Sequence, residues 1–195
     1  MKKSMTILYK VHNNLYVNLT NRCSCACTFC LRQTRDHMEE SDSLWLEHEP
    51  TEEVKEEFKK FDMTKFDEVV FCGFGEPTER LDALLEVAKF VKETYQKPIR
   101  VNTNGQASLI NKRDTAPEFK GLVDTISISF NTPNEQKYNE LVRSIFGDKA
   151  YRGMLDFVKE VKQYVPHVVL STVDTTLTKE EEAQCSKICE EVGAV

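Results

Sequence analysis

Short apolar runs and longer segments with helical spacing alternate along most of the sequence. The strand-like runs are DEVVFCGFG (67–75), IRVNTNG (99–105), DTISISF (124–130) and HVVLSTVDT (167–175). This alternation predicts βαβ units that build a mainly parallel sheet. About five such units fit into the chain, fewer than the eight of a closed β/α barrel. The sequence therefore predicts an α/β fold, an open partial barrel of about five to six parallel strands.

Helices are predicted where apolar residues recur every three or four positions. They cover residues 51–61, 80–95, 132–146, 150–165 and 178–192. Two of these segments begin with a capping-box pattern, Thr132 with Glu135 and Thr178 with Glu181. In a capping box the side chains of the first turn bond to its free backbone N–H groups. Both helices are therefore predicted to begin at these threonines.

The N-terminal part of the chain precedes this alternation. TILYKV and LYVNLT, separated by HNN, predict a β-hairpin that ends at Thr20. Residues 34–50 show no clean period and are predicted to form a loop. We interpret residues 1–195 as a single domain, in which 1–14 form the first hairpin strand and turn and 15–195 the partial barrel.

The composition and charge of the chain limit the class of protein and the kinds of partner. Hydrophobic residues make up 40% and charged residues 30% of the chain, which is typical of a globular protein. The net charge of −6 argues against nucleic acid and anionic membranes as partners. There is no signal-peptide pattern and no apolar run of about 18 residues, so we expect a cytoplasmic protein with reduced thiols and no membrane span.

Four of the seven cysteines lie within NRCSCACTFCLRQ. Cys23, Cys27 and Cys30 form the spacing C-x3-C-x2-C, and Cys25 lies between the first two. An odd number of cysteines in a reducing compartment fits a disulfide framework poorly. Zinc usually takes paired C-x2-C units or a distant histidine pair, and the four histidines lack the H-x3–5-H spacing. Three thiolates suit three irons of an iron–sulfur cube, so this reading is favoured over zinc and disulfides.

Other polar motifs follow the predicted strands. GFGEP comes after the first strand of the alternating part, NTNG after the second and SFN after the third. In β/α barrels the carboxyl ends of the strands carry the functional residues. We therefore expect the cysteine loop and these motifs to form one site. Cys72 is expected inside a strand, and Cys185 and Cys189, four residues apart on an apolar helix face, in the core.

NLTNRCSCACTFCLR resembles the cluster loop of the radical S-adenosylmethionine (SAM) superfamily, including the aromatic Phe29 before the third cysteine. The resemblance implies a radical-SAM core with a [4Fe–4S] cluster on Cys23, Cys27 and Cys30. It also implies that the methionine end of SAM chelates the open iron. Cys25 departs from the family pattern and is predicted not to be a ligand.

GFGEP resembles the family's G-G-E-P turn, with Phe74 in place of the first glycine. The resemblance implies that this turn binds the SAM amino group, and that the ends of the following strands contact its carboxylate, ribose and adenine. The implied SAM contacts are Gly73, Phe74, Gly75, Glu76, Pro77, Asn102, Thr103, Asn104, Ser129, Asn131 and Thr172. Ser129 and Asn131 are assigned to the ribose, and the strand end around Thr172 and Val173 to the adenine, whereas Asn104 also suits a purely structural turn.

The resemblance implies that the enzyme cleaves SAM to a 5′-deoxyadenosyl radical, which abstracts hydrogen from a substrate. CTFCLR, GFGEPT and the short chain resemble, more narrowly, the radical SAM proteins associated with TatD-type nucleases. Glycyl-radical activases and deazapurine synthases are alternatives within the superfamily. A non-enzymatic iron–sulfur carrier or sensor is the alternative outside it.

The implied partners are a one-electron reductant, flavodoxin- or ferredoxin-like, and an unidentified substrate, either a small molecule or a protein. No residue beyond the cluster ligands is assigned to catalysis.

Overall fold

In the computed structural model, which describes residues 2–173 and 177–195, six strands form one sheet in chain order. The strands are β1 (Leu8–Val11), β2 (Asn14–Val17), β3 (Val69–Phe71), β4 (Ile99–Thr103), β5 (Thr125–Ser129) and β6 (His167–Ser171). The helices are α1 (Glu53–Phe58), α2 (Leu81–Tyr95), α3 (Ala107–Asn111), α4 (Glu135–Val142), α5 (Lys149–Val161) and α6 (Lys179–Val192).

The sheet has the topology of an open barrel. β1 and β2 are antiparallel and form the predicted N-terminal hairpin. β2 to β6 are parallel, and each strand pairs with the next one along the chain. At the outer edge of β6, Val195 donates to the Val168 carbonyl and accepts from the Leu170 N–H, the pattern of a parallel neighbour. The predicted partial barrel is confirmed, with five parallel strands.

The two faces of the sheet differ in character because side chains alternate along each strand. One face carries fully buried residues such as Val101 and Ile128, which pack with the helices in the main core. The other face is more polar. The strand register sets Asn102 beside Ser127 there, and Ser129 beside Ser171. The open polar face and the carboxyl ends of its strands are therefore available for a site.

The long helices bury the predicted faces. In α5 the side chains of Met154, Phe157, Val158 and Val161 are buried, as their spacing predicts. α2 ends in a left-handed Gln96 just before the Lys97–Pro98 pair, where a proline prevents continuation. In the described part of the chain no helix is both long enough and apolar enough to cross a membrane.

The capping box predicted at Thr132 is wrong. α4 begins three residues later, with Asn134 as its N-cap, whose side chain accepts from the Lys137 N–H at 2.8 Å. The physical reason lies in the sheet, since the N–H groups of Phe130 and Asn131 both donate to the Ser171 carbonyl. These bonds hold the chain against β6 and delay the helix.

The second capping box is confirmed. Thr178 Oγ1 accepts from the Glu181 N–H at 3.3 Å, and the Glu181 side chain accepts from the Thr178 N–H at 2.8 Å. The helix ends at Gly193, whose φ of +71° is the left-handed cap that glycine favours. The strand predicted for 167–175 ends at Ser171 in β6. Asp174 and Thr175 of that prediction lie outside the described residues.

Candidate functional site

The cysteine loop follows β2 at the carboxyl edge of the sheet. Cys23, Cys27 and Cys30 are each half-buried, and Cys25 is buried. The Cys30 N–H donates to the Cys27 carbonyl at 3.2 Å, and a single 3₁₀ turn over Leu31–Gln33 follows. The three predicted ligands therefore lie on one short loop, in reach of solvent but not fully exposed.

The loop docks on the C-terminal end of α4. The N–H groups of Ala26 and Thr28 donate to the carbonyls of Val142 and Leu141 at 3.1 and 2.8 Å. The Ile145 N–H donates in turn to the Ser24 carbonyl at 2.9 Å. Because the last carbonyls of a helix have no partner within it, the loop satisfies groups that would otherwise need water.

The predicted loop at 34–50 has a role in this site that its sequence did not indicate. Glu49 accepts from Arg22 Nε and Nη2 at 2.7 and 3.2 Å, and from Thr20 Oγ1 at 2.5 Å. Such a two-pronged arginine–carboxylate contact fixes orientation as well as distance. It ties the start of the cysteine loop to the end of the 34–50 segment.

Glu76 joins the turns after β3 and β4. Its carboxylate is 4% exposed and accepts from the Thr78 N–H and Oγ1 at 3.0 and 2.8 Å. It also accepts from Thr103 Oγ1 and from the Asn104 N–H, both at 2.7 Å. An ionised carboxylate offers about four acceptor sites, so protein donors use most of them. Burial raises the pKa of Glu76, and these hydrogen bonds oppose the increase.

Gly75 brings this turn against the cysteine loop. A Cβ at this position would lie 2.2 Å from the Thr20 carbonyl oxygen and 2.6 Å from that of Arg22. The next N–H, of Glu76, donates to the same Arg22 carbonyl at 2.8 Å. Only glycine permits this approach of two backbones, so the GFGEP turn and the cysteine loop form one unit.

Asn104 connects β4 to the cysteine loop through its side chain. Its Nδ2 donates to Ser24 Oγ at 3.1 Å and contacts Cys25 Sγ at 3.4 Å. Gln106, which sequence reasoning missed, is fully buried, and its Nε2 also lies 3.4 Å from Cys25 Sγ. Two side-chain amides thus hold the extra thiol. No sequence motif marks Gln106, because its role depends on a contact with a residue 81 positions away.

The cysteine thiols influence one another. A hydrogen bond with the Cys25 thiol and burial together raise the pKa of Cys23.

The remaining cysteines lie outside the loop. Burial raises the pKa of Cys72 to about 11. Cys72 was expected inside a strand, but β3 ends at Phe71, one residue earlier, so this prediction is wrong. The chain turns there toward GFGEP, and the Cys72 carbonyl accepts from the Tyr9 hydroxyl at 3.0 Å instead of from a neighbouring strand. Cys185 is buried in the core as expected, and Cys189 packs against it from a half-buried position.

The predicted ribose contacts lie at the end of β5. Ser129 is the last residue of the strand, on the polar face. Asn131 is buried in the left-handed conformation with φ +65°, and its Nδ2 donates to the Ser129 carbonyl at 3.3 Å. Asparagine tolerates this conformation better than most residues. Together with Asn102 on β4, they line the same edge of the sheet as the cysteine loop.

A cavity of about 470 Å³ opens beside Cys30 on the polar face of the sheet. Its lining is mainly aromatic and aliphatic and includes Tyr9, Tyr16, Phe29, Met38, Phe74 and Val173. Thr172 is not brought into it. Because successive side chains point to opposite faces, Thr172 lines a separate cavity with Leu170 and Cys185, beneath α6. Val173, two residues after the end of β6, is the residue that lines the cavity beside Cys30.

The donor set fits an iron–sulfur cluster. Among residues 2–173 and 177–195, no three His, Cys, Asp or Glu side chains are grouped to hold a single metal ion. A cluster of several irons spreads its ligands further apart than one ion does, and cysteine thiolates are the ligands it takes. Cys23, Cys27 and Cys30 supply three such donors on one loop.

An open parallel barrel with three thiols at its carboxyl edge defines a class of iron–sulfur proteins built on a partial β/α barrel. The chain belongs to the Radical SAM superfamily, whose family model matches residues 17–189. Members of this family use a [4Fe–4S] cluster and SAM and need an external electron donor.

Among curated proteins, the chain is similar to molybdenum cofactor biosynthesis protein 1 of Dictyostelium discoideum, at 24% identity over 76% of this chain. It is 32% identical over 62% of its length to a candidate glycyl-radical enzyme activating enzyme of Methanocaldococcus jannaschii. The matches cover only 22% and 44% of those two relatives.

Among solved structures, SuiB of Streptococcus suis, bound to the precursor peptide SuiA, is similar with a TM-score of 0.65 and 16% identity. The match covers 93% of this chain and 37% of that one. At this identity the likeness supports the fold alone.

Proposed function

We propose that this chain is a radical SAM enzyme, in which Cys23, Cys27 and Cys30 hold a [4Fe–4S] cluster with one iron open to SAM. The observation that carries the proposal is a direct backbone contact between the GFGEP turn and the cysteine loop. The Glu76 N–H donates to the Arg22 carbonyl at 2.8 Å, so the GFGEP turn lies beside the cysteine loop. When bound, the cluster and SAM supply a one-electron cleavage of SAM and hydrogen-atom abstraction from a substrate.

In this proposal the GFGEP turn binds the SAM amino group mainly through its backbone. The Glu76 carboxylate already accepts from Thr78, Thr103 and Asn104. It therefore serves best as a positioning residue that fixes the shape of the turn, leaving the carbonyls of Gly73–Gly75 to accept from the amino group. Thr103 acts in the same way, because its hydroxyl is committed to Glu76.

The remaining SAM contacts are proposed along the polar face. Asn102, Asn104 and Ser129 line the carboxyl edge next to the cysteine loop, and Asn131 supports the end of β5. For the adenine, the position of Val173 in the cavity beside Cys30 favours this residue over Thr172. An apolar lining there suits a flat ring and limits access of water to the reactive carbon.

The proposed partners are a flavodoxin- or ferredoxin-like reductant and an unidentified substrate, either a small molecule or a protein. A cytoplasmic location follows from the reduced thiols that such a cluster needs. The net charge of −6 argues against nucleic acid as a partner.

The narrower alternatives are not favoured. The relative named as a candidate activating enzyme covers 62% of this chain, but less than half of that relative is matched. No feature of the site selects a deazapurine precursor. A simple electron carrier would have no use for the turn built around Glu76 and Asn104.

The test is anaerobic reconstitution with iron and sulfide, followed by dithionite and SAM. We expect 5′-deoxyadenosine from the wild-type chain and from Cys189→Ala, a control cysteine on α6. Cys27→Ala should form none and bind less iron. Two results would count against the proposal. The first is a wild-type chain that takes up no iron. The second is a wild-type chain with a complete cluster that cleaves no SAM in buffer without substrate.

A further inference from the structure

The segments around the cysteine loop carry positive charge in an otherwise acidic chain. Residues 21–35 contain Arg22, Arg32 and Arg35 and no acidic residue. The segment 141–147, on which the loop docks, adds Arg143 and again no acidic residue. The whole chain has a net charge of −6. Four of the 26 basic residues of the chain therefore lie in two segments at the cysteine loop that contain no acidic residue.

Two of these arginines are free of carboxylate partners. Arg35 and Arg143 are exposed, and neither forms an ion pair with any residue in the described ranges. Arg32 donates to the Cys25 carbonyl at 3.1 Å, which places its guanidinium at the loop without neutralising it. The charge of Arg22, in contrast, is offset by Glu49 at 2.7 Å.

Two exposed apolar side chains lie close to these arginines in the sequence. Leu31, which follows Cys30 directly, is 50% exposed, and Ile145 is 77% exposed. The Ile145 N–H donates to the Ser24 carbonyl at 2.9 Å, so both residues belong to the rim of the cysteine loop. We call Leu31, Arg32, Arg35, Arg143 and Ile145 the rim patch.

The composition of the rim patch fits a transient protein partner. Apolar contacts with a charged surround are the usual anatomy of a protein interface. Opposite charges raise the rate of encounter and orient the partner. Asp36 follows Arg35 in the chain, and its hydrogen bond with His37 lowers the pKa of its carboxyl, so it stays ionised and offsets at most one of the three arginine charges. The rim patch keeps a positive charge. The partner that this surface selects is therefore an acidic protein.

We propose that the rim patch is the docking surface for an acidic one-electron donor protein of the flavodoxin or ferredoxin class. The inference rests on the proposed function, because only a cluster on this loop gives the donor an electron acceptor. One electron passes from the reduced cofactor of the donor to the oxidised cluster. The donor is oxidised by one electron, the cluster is reduced by one, and no bond changes.

A nucleic acid fits the same surface less well. Its affinity grows with the number of phosphates that a protein neutralises, and the rim patch offers three cations within an acidic chain. Leu31 and Ile145 have no counterpart on a phosphate backbone. The observations favour a compact acidic protein.

The test compares two reductants on the reconstituted chain. The double variant Arg35→Glu/Arg143→Glu reverses two charges of the rim patch without changing any proposed ligand. Lys120→Glu/Lys159→Glu makes the same change in charge at two exposed lysines near the opposite, amino end of the strands. Cluster reduction is followed by the loss of visible absorbance, first with an acidic reduced flavodoxin and then with dithionite.

At low salt, we expect flavodoxin to reduce the cluster of the rim variant at least about tenfold more slowly than that of the wild type. This factor lies in the range of electrostatic steering. Reduction by dithionite, which needs no docking, should be unchanged. The control variant should match the wild type with both reductants, and the wild-type rate with flavodoxin should fall as salt is added.

Three results would overturn the proposal. The first is an equal rate of reduction by flavodoxin in the rim variant and the wild type. The second is an equal loss with dithionite, because the substitutions would then act on the cluster loop itself. The third is tight binding of single-stranded DNA that the rim variant alone loses, with flavodoxin binding intact.

Calorimetric titration of oxidised flavodoxin into the chain as isolated decides the docking even if no cluster assembles. Weaker binding to the rim variant than to the control supports the surface, and equal binding contradicts it. Failure of cluster assembly or of SAM cleavage would bear on the proposed function alone. The two proposals therefore fail separately.

Discussion

The carboxylate of Glu76 accepts a 2.7 Å hydrogen bond from the backbone N–H of Asn104, and this contact joins the ends of β3 and β4. The side chain of the same Asn104 reaches Ser24 in the cysteine loop at 3.1 Å. Three loops that are far apart in sequence thereby share one buried network. The shape of the site is therefore set by contacts within the protein.

Replacement of Glu76 by glutamine should change how stability depends on pH. Burial raises the pKa of Glu76 in the folded chain, whereas an unfolded glutamate titrates at about 4.3. The folded state then binds more protons than the unfolded state above that pH. The contribution of Glu76 to the free energy of unfolding is therefore full at acidic pH and is lost as pH rises through the folded-state pKa.

We expect the free energy of unfolding of the wild type, relative to Glu76→Gln, to be highest near pH 4 and to fall toward pH 7. Urea unfolding at several pH values measures this difference. Glu52→Gln, which removes an exposed carboxylate before α1, serves as the control and should show a flatter profile. A difference that grows with pH would contradict the assignment.

Gly75→Ala should separate the GFGEP turn from the cysteine loop. The added Cβ would lie 2.2 Å from the Thr20 carbonyl oxygen, and a backbone atom cannot move aside as a flexible side chain can. Overpacking of this kind typically costs about 1–3 kcal/mol. We expect a loss of stability in this range, measured by urea unfolding, together with lower iron uptake on reconstitution.

Gly121→Ala is the control for this substitution. Gly121 has φ +74°, and a Cβ there would meet no atom within 4 Å. It should lose only the roughly 1 kcal/mol of a left-handed alanine and bind iron like the wild type. Equal iron uptake by both variants would show that the close approach at Gly75 is not needed for the cluster loop.

Thr178→Ala tests a cap that the sequence predicts correctly. Its hydroxyl accepts from the Glu181 N–H at 3.3 Å, and loss of such a cap costs about 1 kcal/mol. Stability measured by thermal or urea unfolding should fall by about this amount, with SAM-dependent properties unchanged. Thr132→Ala, at the position where the predicted cap is wrong, should not alter the start of α4, because Asn134 caps it.

The two capping predictions show what local patterns can establish. Strand and helix alternation depends on side-chain periods of two and 3.6 residues, which any window of sequence displays. The same is true of the box at Thr178 and Glu181. At Thr132 the identical pattern failed, because the backbone N–H groups of Phe130 and Asn131 bond to Ser171 on another strand. A long-range contact overrode a local preference.

In the candidate site too, local patterns are predictable from sequence and long-range contacts are not. The cysteine spacing and the GFGEP turn identify the carboxyl edge of the sheet from sequence alone. The direction of the side chains at the end of β6 is predictable in the same way. Val168, Leu170 and Thr172 lie at alternate positions and share one face, and the first two are buried in the core. Applying that alternation selects Val173 for the cavity. Gln106 was out of reach, because only the fold brings it to Cys25.

The environment of the extra thiol predicts that it is not a cluster ligand. Cys25 is buried, and its Sγ lies 3.4 Å from both Asn104 Nδ2 and Gln106 Nε2. Gln106 is held in turn by Ser144 Oγ, which donates to its Oε1 at 2.6 Å, and it donates to the Tyr138 hydroxyl at 3.1 Å. A thiol fixed in this way is directed toward the turn after β4, so Cys25→Ala should keep the iron and sulfide content of the wild type, whereas Cys27→Ala should lower it.

Gln106→Leu should separate the effect of this network on stability from its effect on the Cys25 thiol. It leaves the Ser144 and Tyr138 hydroxyls without their amide partner, which costs about 1–3 kcal/mol of stability for buried polar groups. It also frees the Cys25 thiol, so we expect a more heterogeneous cluster, visible in the electron paramagnetic resonance spectrum of the reduced protein. The double variant Cys25→Ala/Gln106→Leu should restore a uniform spectrum while remaining destabilised. A Cys25→Ala chain that loses iron as Cys27→Ala does would instead make Cys25 a ligand.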